Sequence, residues 1–355
     1  MTGGSKTIDG DCSVNYLKLE SGYTNTLKVT GTTTIDSNIS KDAASNSTIT
    51  NIVNNSKLDG SKIVACYIGK GSIFESASII FNSSTTHYPQ SFNVVEGAVK
   101  TDSFIIKASD GYTAKLNLTS SARIESLSGE PGTLEIGANA SVKVGNATKS
   151  AKGSIGLETV VNGGSLHVNH YASMKGITLK EGDVLINLDN FVSDNYAGVP
   201  LEEAIDLGDI AVEGGTLSLD KTAITSDVTM TGGELQITGD VETGALELAN
   251  VDVIFSADAT IDLGGEELIL GDNIAITLNV DSLDNIAGVE LFKTTGNVSG
   301  LDELTVTFMD ATGATKEAAV SFSNGSVVTG SVPEPTTATL SLLALAGLAA
   351  RRRRR

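Results

Sequence analysis

Gly214-Gly215-Thr216-Leu217-Ser218-Leu219 is followed, 18 residues later, by Gly232-Gly233-Glu234-Leu235-Gln236-Ile237. Each copy is a glycine pair, a small or polar residue, and a run in which apolar and polar side chains alternate. Alternation with period 2 places one face of a strand in a core and the other in water. The glycine pair allows positive φ and a sharp corner before the strand. Looser copies begin at Pro131-Gly132, Gly163-Gly164 and Gly264-Gly265, so the start-to-start spacings are 32, 51, 18 and 32 residues. The shortest spacing fits one rung of a parallel β-helix, and the others fit two or three rungs loosely. A repeat of this length buries its apolar face only by stacking on its neighbours. The reading is an all-β chain built as a Gly-rich right-handed parallel β-helix; the alternative is a β-sandwich with Gly-rich hairpins.

The rest of the chain agrees with strands. It has 38 Gly, 5 Pro, no Trp, 9 Phe and 7 Tyr. Leu27-Lys28-Val29, Ala114 to Leu118 and Val142-Lys143-Val144 alternate in the same way. Helix signals are confined to Pro200 to Ile205, with Pro near the first turn, and to Ser282 to Ala287, with Ser282 as N-cap. Residues 1–125 lack the glycine-pair punctuation and are assigned as irregular β or solenoid coils. Residues 126–288 are the β-helix repeats. From Val289 the runs Val289-Glu290-Leu291-Phe292, Leu304 to Phe308 and Ala319 to Phe322 suggest antiparallel strands around an Asn324-Gly325 turn. Residues 289–330 are therefore expected to cap an otherwise open sheet edge.

Net charge is −19, and Arg351, Arg352, Arg353, Arg354 and Arg355 supply five of the six arginines. Without those five the charge is −24, which opposes nucleic acid and anionic lipid; no nucleic-acid partner is expected. Cys12 and Cys66 are open between one disulfide and two free thiols. No apolar leader follows Met1, and the chain enters a strand pattern by Thr7. We therefore expect the natural protein to begin upstream with a signal peptide.

Chemistry is sparse. Asp252, Asp258 and Asp262 would share a face in one unbroken strand, but Ser256-Ala257-Asp258-Ala259 reads as a turn, so they are assigned as solvated turn acids. His87, His167 and His170 lack a nucleophile elbow or a third metal ligand. No EF-hand loop or glycine-rich calcium nonapeptide is present. No catalytic residue, metal or cofactor is assigned. The expectation is a non-enzyme, with a secreted carbohydrate-active β-helix enzyme, a lyase or glycosidase, as the alternative. The absence of Trp and the single arginine outside the tail, Arg123, weigh against sugar stacking and acidic-sugar clamping.

The C terminus carries the most specific signal. Val332-Pro333-Glu334-Pro335 precedes a charge-free stretch rich in Leu and Ala, and Arg351 to Arg355 close the chain. The 15 residues 336–350 would make a helix of about 22 Å, shorter than a ~30 Å hydrocarbon core. Arginines after it suit a stop-transfer anchor, and Pro-Glu-Pro favours an exposed extended segment open to a protease. This order resembles the PEP-CTERM sorting signal of Gram-negative bacteria, over residues 331–355. The resemblance implies an exosortase-type membrane protease as partner, cleavage near Pro333-Glu334-Pro335, and transient residence of a C-terminal transmembrane helix in the inner membrane. It also implies delivery of the body to the cell surface, often with exopolysaccharide. The glycine-rich repeats resemble autotransporter passenger β-helices, in architecture only. The functional expectation is an exported surface or matrix protein with a structural or adhesive role.

Overall fold

The computed structural model describes residues 4–330 except 15–16, 20–24, 38–62, 84–89, 111, 120–121, 131, 146–152, 170, 188–204, 285 and 303. Every regular element among the described residues is a strand, so the chain is all-β. The strands fall into three parallel ladders, visited in rotation along the chain. One rotation is Val228–Met230, Glu234–Thr238 and Asp240–Glu242; the next is Leu246–Leu248, Asp252–Phe255 and Thr260–Asp262. Each strand pairs in parallel with its counterpart one rotation later. We call these the first, second and third ladders, with Thr260–Asp262, Leu246–Leu248 and Asp252–Phe255 as their respective members.

Register explains the alternation seen in sequence. In the third ladder, Leu17, Cys66, Phe92, Leu116, Val142, Leu166, Val184, Leu217, Leu235, Val253, Ile276 and Val306 are successive register partners. All but half-buried Leu17 are buried. Rows one hydrogen-bonded step apart are about 4.8 Å apart, so this column runs about 50 Å. The columns of the three ladders meet in one core. Phe92 of the third ladder contacts Phe81 and Phe104 of the second, with centroids 5.8 and 5.2 Å away. Phe255 of the third meets Phe292 of the first edge-on at 5.5 Å.

The corner glycines depart from the spacing read in sequence. Gly164, Gly182, Gly215 and Gly233 stand one above another before the third ladder. Gly182 has φ +99, and a Cβ there would lie 2.1 Å from Gly164 O; Gly215 and Gly233 repeat the relation at 2.4 and 2.5 Å. The 51-residue gap therefore contains a further row at Gly182, which has no partner glycine beside it in sequence. Gly132 and Gly264-Gly265 precede second-ladder strands, Thr133–Ile136 and Leu268–Leu270, and occupy a different corner. The five apparent copies are thus three from this corner and two from another, and this corner has a fourth row, at Gly182, outside those five. The parallel ladders also run through residue 125 without a break.

Ser282 to Ala287 contains no helix among its described residues. Ser282 Oγ instead accepts the Asp284 N–H at 3.2 Å, a local turn that competes with helix initiation. The Pro200 to Ala204 part of the other helix candidate lies outside the described residues, and Ile205 forms a parallel bridge to Ile224. At the C-terminal end pairing becomes antiparallel. Thr305–Asp310 pairs with Thr315–Ser323, which pairs with Ser326–Thr329, which returns to Glu290–Lys293. Asn324 and Gly325 have φ of +53 and +83, as a type I′ hairpin turn requires. No helix of the described residues is long and apolar enough to cross a membrane. The proposed transmembrane helix within 336–350 lies outside them.

Candidate functional site

Val332, Pro333, Glu334, Pro335 and Arg351 to Arg355 lie outside the described residues. Their point of attachment does not. Thr329 is buried, and its Oγ donates to Ile286 O at 2.6 Å while accepting the Val289 N–H at 3.0 Å. Its own N–H donates to Val289 O at 3.0 Å, its carbonyl accepts Gly288 N–H at 2.7 Å, and Gly330 N–H reaches Ala319 O at 2.7 Å. The chain is thus held on both sides up to Gly330. Pro333 to Pro335 begin three residues later, so an extended chain carries them at most about 10–18 Å from this clasp. A protease cutting there works close to the folded body.

The other sequence candidates separate. Asp252 opens a third-ladder strand, Asp258 sits in a turn with φ +60, and Asp262 ends a first-ladder strand. The Ser256 to Ala259 turn divides them, as the sequence suggested. His167 lies on the outer side of the third ladder between Lys143 and Leu185. Its Nε2 is enclosed without a hydrogen-bond partner, and burial, followed by the Lys143 charge, holds its pKa below the usual imidazole value. His87 and His170 lie outside the described residues. Cys12 and Cys66 are separate free thiols on different ladders; burial pushes the Cys66 thiol well up, which suits packing and not reactivity. Among the described residues no group of three His, Cys, Asp or Glu is placed to hold a metal ion.

One open groove of about 420 Å³ carries carboxylates. Glu242 and Asp262 are register partners on adjacent rows of the first ladder, and Glu266 joins them on the lining. Lys293 follows Asp262 in the column and pairs with Glu290 at 3.1 Å. The Glu290 carboxyl is held low by hydrogen bonding from Ser326 and by Lys293.

Sequence reasoning missed what many of the acids do. Asp102 Oδ1 accepts from Leu127 N–H, Ser128 N–H, Ser126 Oγ and Ser128 Oγ at 2.9–3.0 Å, tying the corner at 126–128 to its own. Asp11 receives Thr32 N–H at 2.7 Å and Asp227 receives Ala245 N–H at 2.8 Å. An acid before a corner, with the next corner 18 to 26 residues on, is the only trace of this in sequence.

Comparison with known proteins gives one match: the family model described as PEP-CTERM protein-sorting motif covers residues 331–355. No curated protein and no solved structure matches the chain. The tail beyond the Thr329 clasp is therefore similar to a sorting signal that implies export to the bacterial envelope or surface and processing by a membrane exosortase.

Proposed function

We propose that the chain is a non-catalytic structural or adhesive protein of the cell surface or extracellular matrix. Its body is a right-handed parallel β-helix, residues 289–330 close the end of the stack, and 331–355 deliver it. The observation that carries this reading is the sorting motif placed directly after a clasped, all-β body. Three ladders in constant rotation around one core support the solenoid, and the antiparallel returns support the cap. A stack of this kind presents long, regular outer faces, some of them suited to polysaccharide. The segment 336–350 holds the precursor in the inner membrane until Pro333-Glu334-Pro335 is cut.

The test is the intact mass and location of the protein in its native cells. Loss of the residues after about Pro335, with the body in the outer envelope or medium, supports the reading. Full-length protein in the cytoplasm or inner membrane, in cells with an active exosortase, overturns it. A second reading, a secreted lyase or glycosidase, is favoured by the Glu242, Asp262 and Glu266 groove. It requires glycan cleavage that Glu242→Gln or Asp262→Asn abolishes.

A further inference from the structure

Charge is divided unequally along the stack. Residues 1–180 carry 16 Lys and Arg against 14 Asp and Glu; residues 181–330 carry 3 against 28. The half next to the sorting signal is therefore a polyanion of net −25, and the other half is net +2. On the outer side of the third ladder the change falls between two adjacent rows. Asp183 follows Ser165 in one column, and Asp183, Glu234 and Asp252 then mark the acidic half.

Before that boundary the same face carries no carboxylate among the described residues. Tyr67, Asn93, Asn117, Lys143 and His167 are successive register partners on five rows, and Lys115 stands beside them. Asn117 Nδ2 donates to Asn93 Oδ1 at 2.7 Å, and Asn93 Nδ2 donates to Ser91 Oγ at 3.2 Å, so the amides are pre-aligned. Four other cations are neutralised by a neighbour: Lys70 by Glu96, Lys100 by Glu75, Arg123 by Glu125 and Lys293 by Glu290. Neither Lys115 nor Lys143 forms an ion pair with a described residue. His167 ends the column with its Nε2 enclosed, so that nitrogen is not offered to a ligand.

We propose that this strip, from Tyr67 to His167 on the outer third ladder, is a docking surface for an acidic polysaccharide laid along the stack. The amides suit sugar hydroxyls, the two unpaired lysines suit uronate carboxylates, and the tyrosine offers a ring to a sugar face. Row spacing of about 4.8 Å repeats these groups along about 20 Å, which suits a polymer and not a single small ligand. The acidic half rejects the same polymer by like-charge repulsion. The chain thus holds an anionic matrix at the end away from its sorting signal. The proposal rests on the surface-protein reading and names the chemistry of its partner.

The test measures binding of the purified full chain to sodium alginate, to neutral dextran and to vesicles containing anionic phospholipid, at low ionic strength. Alginate is expected to bind, more weakly as salt rises. Lys115→Glu with Lys143→Glu should weaken binding by about tenfold or more, whereas Lys107→Glu with Lys175→Glu, the same change in net charge at two exposed positions off the strip, should leave it within about twofold. If the reversed pair fails to fold, judged by circular dichroism, Lys115→Gln with Lys143→Gln is the substitute and should weaken binding in the same direction. Equal loss in both pairs, no loss in the strip pair, absence of alginate binding, or equally tight binding to the vesicles overturns the proposal. Because binding is read on purified protein, failure here leaves the sorting result intact, and mis-sorted protein that binds alginate would overturn only the surface reading.

Discussion

Asp102 shows how a single side chain holds one corner of the chain to another 24 to 26 residues on. Its Oδ1 receives two backbone N–H groups and two hydroxyls from Ser126 to Ser128. Those contacts, led by the Ser128 N–H, hold the carboxyl below its usual pKa. A carboxyl whose folded pKa is depressed stabilises above its unfolded pKa, about 3.9, and loses that contribution as pH falls through the folded value. Asp102→Asn should therefore destabilise at pH 7 by about 1 kcal/mol, allowing for solvent screening. The gap seen at pH 7 should narrow at an acid pH below the usual carboxylate range. Urea midpoints at the two pH values decide it, and a gap that persists in acid would assign the effect to shape, not charge. Thr159 makes the opposite case. It is buried in a core column between Leu134 and Ile177, and its Oγ has no partner. Thr159→Val removes an unsatisfied hydroxyl at nearly constant volume, so it should raise stability by about 1 kcal/mol; a lower midpoint would mean that the hydroxyl is paired in solution.

At the level of the element, strands were legible because alternation is a property of each run by itself. Leu217-Ser218-Leu219 and Leu235-Gln236-Ile237 show their buried positions without help. Corners were not, because which corner a glycine serves depends on what stacks beneath it. Gly182 went unread for want of a glycine neighbour, while Gly132 and Gly264 were read into a column they do not share. The acidic corners were hidden for the same reason: Asp102 is functional only in register with residues 24 to 26 positions away. The PEP motif was legible because it is linear and needs no register. The corner argument has a direct test. Gly215 and Gly313 have nearly equal φ, +79 and +82, but a Cβ on Gly215 meets Gly182 O at 2.4 Å whereas one on Gly313 meets nothing within 4 Å. Gly313→Ala should cost only the left-handed strain, roughly 1–2 kcal/mol. Gly215→Ala adds a backbone clash in a packed column and should cost about twice that or more. Equal losses in a denaturant titration would show that the glycine column can spread without penalty.

For the whole molecule, the charge division predicts that the two halves respond differently to salt. Glu234 and Asp252 are directly opposed on adjacent rows, as are Glu242 and Asp262, and like charges so placed repel across the ladder. The first half instead alternates sign: Lys28, Glu75, Lys100 and Glu125 are successive partners in one column. Raising salt from about 0.02 M to about 0.5 M shortens the Debye length to about 4 Å. That relieves repulsion in the acidic half and weakens attraction in the alternating one. A stack whose rows contact only their neighbours can open locally, so each half reports its own stability. Amide exchange should then slow with salt in the strands from Asp209–Val212 to Ala275–Val280 and hold steady or quicken in those from Gln90–Val95 to Arg123–Glu125. Uniform slowing in both halves would mean that the stack opens as one unit, and that its −25 end is carried by cooperativity along all rows.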